Sequence, residues 1–315
     1  MIWSYSAAKA FQSCQRQWYL RSIYGIGQAK KSAERRSIYI LGKHDSLSAW
    51  RGRLVDEIIS EHIVEASNVE DELPTSKQLI EIARSRFEHQ MRFAKENPVA
   101  DHRLDVKQAG ESFALLRNVQ EIDEEEFDKA WLAIERAIKT FYQLDQAKDV
   151  IKNSELSVSQ CVLQFKLFEG VTVKAVPDLL AFDSSGVPTI VDWKVHEFGT
   201  HDAWIQLAVY AIALERCKAH WNWSVYRPAD GFDRQKMRLI EVQLLTNVVR
   251  EHVLDEEHFA QAEEFINSTS YEMSCLVDGR KPSALSLSDF QVAQFPDTCD
   301  SCSYKTFCWD VAHAN

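Results

Sequence analysis

The sequence predicts an α/β fold: a mixed sheet flanked by helices, with a helical insertion and a cysteine-rich tail. Three observations carry this. Apolar residues recur at helical spacing through most of the chain from residue 5 to about 145. Near residue 155 the pattern changes to alternating or continuous β-branched runs, two of them separated by the turn sequence Asp183-Ser184-Ser185-Gly186. Helical spacing then returns directly after a strand, at about residue 202.

Residues 5–22 read as one helix capped by Ser4 or Ser6, with Ala7, Phe11, Cys14, Tyr19 and Leu20 on its apolar positions. The Gly-, Ser- and Lys-rich stretch 25–48 predicts irregular chain, with His44 as a loop histidine. Helices are expected over 48–65, over 76–95 behind a Thr75 cap, over 110–118 and over 123–145. Leu156–Leu167 and Val171–Phe182 read as strands, and Thr189–Val195 as the hairpin partner of the second. A helix from about Asp202 to Lys218, strands at 223–226 and 237–244 and a helix over 246–267 complete the pattern. The expected organisation is a single domain over 1–315, with 66–150 as the helical insertion and 281–315 as a tail packing with the N-terminus around Cys14.

The apolar fraction of 45% and charged fraction of 26% are those of a soluble globular protein. Apolar runs such as Ala208–Leu214 are too short to cross a membrane. The N-terminus lacks a signal-peptide core, so a cytoplasmic location with no membrane partner is expected. A net charge of −11 argues against a protein that simply coats nucleic acid. Residues 1–44 nevertheless hold eight Lys and Arg against one acid, Glu34. They form either a basic patch that guides a strand or a basic loop with no ligand. Acids at 121–128 and 255–264 read as solvated helix faces.

Asp192 and Lys194 are two apart on a strand and so share a face. If the turn is flanked by Phe182 and Val187, or by Asp183 and Val187, paired residue numbers sum to 369 or 370. Asp178 then falls opposite residue 191 or 192. Two carboxylates bind a hard cation through oxygen, the cation polarises a phosphodiester, and a neighbouring ammonium orients the attacking water or steadies phosphate charge. The same three residues are also compatible with a surface salt bridge, since D-x-K is a common tripeptide. Glu155 reads as a solvated acid opening its strand. Gln206 and Tyr210 share one helix face.

Pro177-Asp178, thirteen residues, Asp192-Trp193-Lys194 and then Gln206-Leu-Ala-Val-Tyr210 resemble the RecB-like branch of the PD-(D/E)XK nucleases. The resemblance implies a restriction-endonuclease-like core. It implies Asp178 and Asp192 as ligands of Mg²⁺ or Mn²⁺, the backbone carbonyl of Trp193 as a further ligand, and Lys194 as the catalytic lysine. Gln206 and Tyr210 would line the site and contact the DNA strand. The family's N-terminal W-x-G-x-x-V-H pattern is matched by Trp50-Arg51-Gly52-Arg53-Leu54-Val55-Asp56, with Asp56 where a histidine is expected. Aspartate ligates Mg²⁺ or Mn²⁺, so the departure implies either an all-oxygen site or lost cleavage.

Seven cysteines are present, and Cys299-x2-Cys302-x5-Cys308 places three within ten residues. In a reducing compartment such a cluster reads as metal binding, whereas Cys161, Cys217 and Cys275 are isolated. A subset of RecB-like nucleases, including CRISPR adaptation nucleases and AddB-type helicase–nuclease subunits, joins one N-terminal cysteine to a C-terminal triplet around a [4Fe–4S] cluster. By that resemblance Cys14, Cys299, Cys302 and Cys308 hold the cluster, with Zn²⁺ as the alternative. The implied function is Mg²⁺- or Mn²⁺-dependent DNA hydrolysis at single strands or ends, in repair, recombination or phage defence. The other class is a cleavage-deficient DNA-binding or scaffolding subunit. Either is compatible with a helicase or other defence subunit as partner.

Overall fold

A computed structural model gives the architecture of residues 1–27, 31–69, 72–196, 203–218, 220 and 223–313. The chain opens with β1 (Ile2–Trp3), α1 (Tyr5–Ser13), α2 (Gln15–Tyr19) and a π-helical turn, Leu20–Tyr24. The one helix expected over 5–22 is therefore broken at Cys14, whose backbone is extended (φ −164°, ψ 111°). Cys14 ends α1, and its thiol caps α2 by accepting the Gln17 N–H at 3.4 Å. A second departure is α3 (Ala33–Leu41), inside the stretch expected to be irregular. Ser32 caps it through the Arg35 N–H, and Ile38 and Ile40 are buried beneath it. Cap and core contacts outweigh the weak local propensity.

β2 (His44–Asp45) pairs in parallel with β3 (Leu115–Leu116). The helix expected over 110–118 is thus a 3₁₀ turn, Gly110–Ser112, followed by a short strand. His44 is not a loop histidine: it is buried, its Nδ1 lies 3.0 Å from the Ile40 carbonyl, and burial lowers its imidazole pKa. α4 (Leu47–Ile59) runs through a π-helical turn, Ser60–Val64, into α5 (Glu65–Asn68). It packs with α6 (Ser76–Glu96) and α8 (Glu124–Gln143). α7 (Val106–Ala109) precedes β3, and α9 (Asp145–Lys152) follows α8. Reciprocal capping boxes, Thr75 with Gln78 and Asp123 with Glu126, fix the starts of α6 and α8. Glu124, Glu125 and Glu126 also oppose the positive end of the α8 dipole. Trp50, Leu54, Ile58, Ile134 and Phe141 are fully buried in this layer.

The chain then forms β4 (Leu156–Ser159), β5 (Leu163–Phe168), β6 (Val171–Ala175), β7 (Leu179–Phe182), β8 (Pro188–Lys194), β9 (Arg238–Gln243) and β10 (Val248–Glu251). The large sheet has the order β10-β9-β8-β7-β4, with β8 and β9 parallel and the other neighbours antiparallel. A smaller sheet has the order β1-β6-β5. The two long runs read as single strands are each divided, at 160–162 and at 176–178, so that their halves join different sheets. Residues 223–226 are a 3₁₀ turn (Ser224–Tyr226) rather than a strand. The helix expected from 246 begins only at its Asp255 cap, as α11 (Glu256–Val277), because Val248 and Val249 complete the sheet edge.

α10 (Ala203–Arg216) packs on β5 and β6 and on β8 and β9. Contact with both sheets explains why Leu207–Leu214 is buried throughout instead of showing one apolar stripe. The start near Asp202 lies outside the described residues. The strands of the large sheet alternate their side chains between two cores. Leu180, Phe182, Ile190 and Leu239 join the core around α10 and α11, while Leu179, Val191, Trp193 and Val242 join the helical layer. Asp192 and Lys194 therefore fall on the α10 face. The tail carries α12 (Pro296–Asp300) and α13 (Lys305–His313). Among the described residues, no helix is long and apolar enough to cross a membrane.

Candidate active site

The β7–β8 hairpin pairs Leu179 with Val191 and Phe182 with Pro188, so paired numbers sum to 370, the second of the two registers the turn allowed. Extending that register places Asp178, just before β7, across from Asp192. The Asp178 carboxylate turns towards β8 and accepts the Trp193 N–H at 2.8 Å on Oδ2. Asp192 is 2% exposed and carries the Lys194 ammonium at 2.5 Å on its Oδ2. Lys194 also donates to Gln206 Oε1 at 3.0 Å, and Gln206 Nε2 donates to the Tyr210 hydroxyl at 2.6 Å. A continuous hydrogen-bonded line thus runs from the strand end to one face of α10.

Asp56 reaches the same place from α4. Its helix is anchored by Trp50, whose indole N–H donates to Gln90 Oε1 and whose ring stacks 4.8 Å from Phe87. Asp56 Oδ1 is buried and has no hydrogen-bond partner, while Oδ2 accepts from Gln160 Nε2 at 2.8 Å. Gln160 Nε2 also lies 3.3 Å from Asp178 Oδ1. One amide therefore bridges two of the three acids.

The electrostatics are those of crowded negative charge. Burial, then Glu57 and Asp192, raise the Asp56 carboxyl to about 7. Burial, then the charges of Asp192 and Asp56, raise Asp178 well above the usual carboxylate range. Burial raises Asp192 against the opposing pull of Lys194. The Tyr210 hydroxyl is pushed up by burial and by the Asp192 and Asp178 charges. Carboxylates drawn together at this cost suit a site completed by a cation. Among the described residues, no set of three or more His, Cys, Asp or Glu side chains stands in a ready-made coordination shell. The acids are held instead by Gln160, Lys194 and the Trp193 N–H. The orphaned Oδ1 of Asp56 and the all-oxygen donor set fit a hard divalent ion.

Two further contributors carry no sequence motif. Gln160 lies across from Asp178 in the β4–β7 register and has a positive φ of +50°, a conformation that costs a non-glycine residue about 1 kcal/mol. Its own N–H donates to the Asp178 carbonyl at 3.1 Å. Glu241 pairs with Asp192 across β8–β9 and is 1% exposed. Burial would raise its pKa, but hydrogen bonds from His252 at 3.0 Å and from Gln243 outweigh it and keep the carboxylate below its ordinary value. An acid inside the apolar run Leu239–Leu245 was the available signal for Glu241; a lone glutamine gave none. Glu155 is exposed, its N–H spent on the Phe182 carbonyl.

Away from the acids, Cys14, Cys299, Cys302 and Cys308 line one small cavity with Arg16 and Lys305. Arg16 approaches the Cys308 sulfur at 3.7 Å. Burial, then the Cys14 and Cys308 neighbours, raises Cys299; burial also raises Cys302, with Cys14, Cys308 and Cys299 adding to it. The N-terminal segment is stitched to the tail by Arg16 N–H to the Gln291 carbonyl, Arg16 Nε to the Phe290 carbonyl and Gln291 N–H to Gln15. The four thiols share this cavity without standing in a ready-made coordination shell among the described residues. Arg35 and Arg36, two cations of the N-terminal basic segment, donate to the Tyr24 and Leu104 carbonyls and serve the fold. Lys30 lies outside the described residues. Cys161 and Cys217 are buried and Cys275 is exposed.

The sequence profile of the PD-(D/E)XK nuclease superfamily matches residues 2–309. No curated protein matches the chain. Among solved structures, a "Putative exonuclease" from Eubacterium rectale is similar over 87% of this chain and 92% of its own, at 14% identity and a TM-score of 0.35.

Proposed function

The chain belongs to the PD-(D/E)XK nuclease superfamily, and from that premise we propose that it is a Mg²⁺- or Mn²⁺-dependent deoxyribonuclease acting on single strands or ends. The observation that carries the reading is the meeting of Asp56 from α4 with Asp178 and Asp192 from the β7–β8 hairpin, beside Lys194. Asp178, Asp192, Asp56 and the Trp193 carbonyl are the proposed cation ligands. When bound, such an ion polarises the scissile phosphodiester and lowers the pKa of the attacking water. Lys194, fixed between Asp192 and Gln206, orients that water and steadies developing phosphate charge. Gln206 and Tyr210 hold Lys194 in place and form the substrate-side wall. Asp56 thereby supplies with oxygen what a histidine supplies in the family pattern.

A strand also needs room to approach. Gly52 lies one turn before Asp56 on α4, and a Cβ added there would meet nothing within 4 Å. A mid-helix glycine costs about 1 kcal/mol relative to alanine, and here no packing explains it. We read it as a bare patch of helix beside which a nucleic-acid backbone passes. The four cysteines we assign to a [4Fe–4S] cluster, with Zn²⁺ as the alternative, joining the chain's two ends. A helicase or other repair or defence subunit that supplies DNA affinity is consistent with the net charge of −11.

The test is cleavage of end-labelled single- and double-stranded DNA by anaerobically purified protein, with Mg²⁺, Mn²⁺ or EDTA. Cation-dependent products that disappear in Lys194→Ala establish the nuclease. Absence of products with either cation, from protein with a filled cluster, favours the cleavage-deficient reading.

A further inference from the structure

We infer that Gln160 is a positioning residue of the acid site, clamping Asp56 to Asp178 so that a cation meets a preset pair of carboxylates. The inference rests on the metal-site reading above. Three observations support it. The Gln160 side-chain amide donates to Asp56 Oδ2 at 2.8 Å and lies 3.3 Å from Asp178 Oδ1. Its backbone N–H donates to the Asp178 main-chain oxygen at 3.1 Å, so both ends of the residue hold the same partner. Its backbone sits at φ +50°, where glycine or asparagine would be at ease and glutamine is not. A strained backbone is retained where the side chain it delivers has a use.

The geometry also says what the clamp does. Asp56 stands on a helix and Asp178 on a strand end, and each repels the other. No contact besides Gln160 joins the two carboxylates directly among the described residues. The amide takes Oδ2 of Asp56 and leaves the buried Oδ1 unpartnered. Gln160 therefore fixes which oxygen of Asp56 remains for a ligand. Without it the two carboxylates swing apart, and the cation must assemble them at its own expense. Outer-shell partners of this kind commonly alter metal affinity by 10- to 100-fold.

The test compares Gln160→Gly with Gln160→Ala in the full-length protein. Glycine removes the amide and relieves the backbone; alanine removes the amide alone. Mn²⁺ binding is measured by calorimetry without DNA, and the Mn²⁺ concentration for half-maximal cleavage is measured separately from the KM for DNA. We expect both variants to bind Mn²⁺ at least about 10-fold more weakly, with DNA KM unchanged and with Gln160→Gly melting no lower than the wild type. Unchanged Mn²⁺ affinity in both variants, with Asp192→Asn abolishing binding, overturns the clamp and leaves the metal site standing. Failure of the wild type to bind Mn²⁺ at all overturns the metal-site reading and the clamp with it.

Discussion

The acid site and the cysteine site are built by opposite means. Asp178, Asp192 and Lys194 come from one hairpin, and the strand period and the pairing register fix their positions. Helix α4 adds Asp56, and α10 adds Gln206 and Tyr210. The side chains are then locked by hydrogen bonds to one another and to the Trp193 N–H. The cysteine site is assembled from the two ends of the chain, Cys14 from the α1–α2 break and the other three from the tail. The Arg16 N–H bond to the Gln291 carbonyl, with the Arg16 and Gln15 side chains bonding the Phe290 carbonyl and the Gln291 N–H, holds the two ends together. A site preset by a sheet can tolerate internal repulsion for the sake of chemistry. A site made from chain ends draws its stability from whatever binds it. Damage to the first should cost rate, and damage to the second should cost the fold.

The largest expected effect tests the first half of that contrast. Asp192→Asn and Lys194→Ala should each lower DNA cleavage by roughly 10³-fold or more, while melting temperature changes by no more than a few degrees. Far-ultraviolet circular dichroism alongside single-turnover cleavage checks this, and a collapse in Tm would erase the distinction. The second half predicts that Cys302→Ser loses bound metal and melts roughly 10 °C lower. Iron and zinc content by mass spectrometry, together with a thermal scan, decides it. Iron loss without a change in Tm would mean that the proposed cluster is not structural.

A smaller effect separates repulsion from ligation. In EDTA, Asp56→Asn should raise Tm by about 2 °C, because it removes one of three crowded charges. Added Mn²⁺ should raise the wild-type Tm and leave that of Asp56→Asn nearly unchanged. Equal Mn²⁺ shifts in the two proteins would remove Asp56 from the ligand set. The smallest effect concerns Gly52. Gly52→Ala should add about 1 kcal/mol of stability, worth 2–4 °C, and should raise the KM for single-stranded DNA several-fold. A more stable protein with an unchanged KM would show that no strand passes there.

Much of this was legible locally. The hairpin turn, the same-face placement of Asp192 and Lys194, and the Gln206–Tyr210 helix face follow from short-range geometry, and the cap at Thr75 follows from side chains within one turn. The departures share one cause. Residues 115–116 became a strand because His44 and Asp45 were there to pair with them, and 248–251 because β9 offered an edge. His44 was buried by that same pairing.

The sequence by itself determined which residues could do chemistry on one strand and one helix, because periods of 2 and 3.6 act within a few residues. The tertiary structure decided which residues meet. The β4–β7 register placed Gln160 across from Asp178, the β8–β9 register placed Glu241 beside Asp192, and the packing of α4 on the helical layer carried Asp56 to both. Those contacts span 18, 49 and more than 100 residues, and no local signal reaches that far.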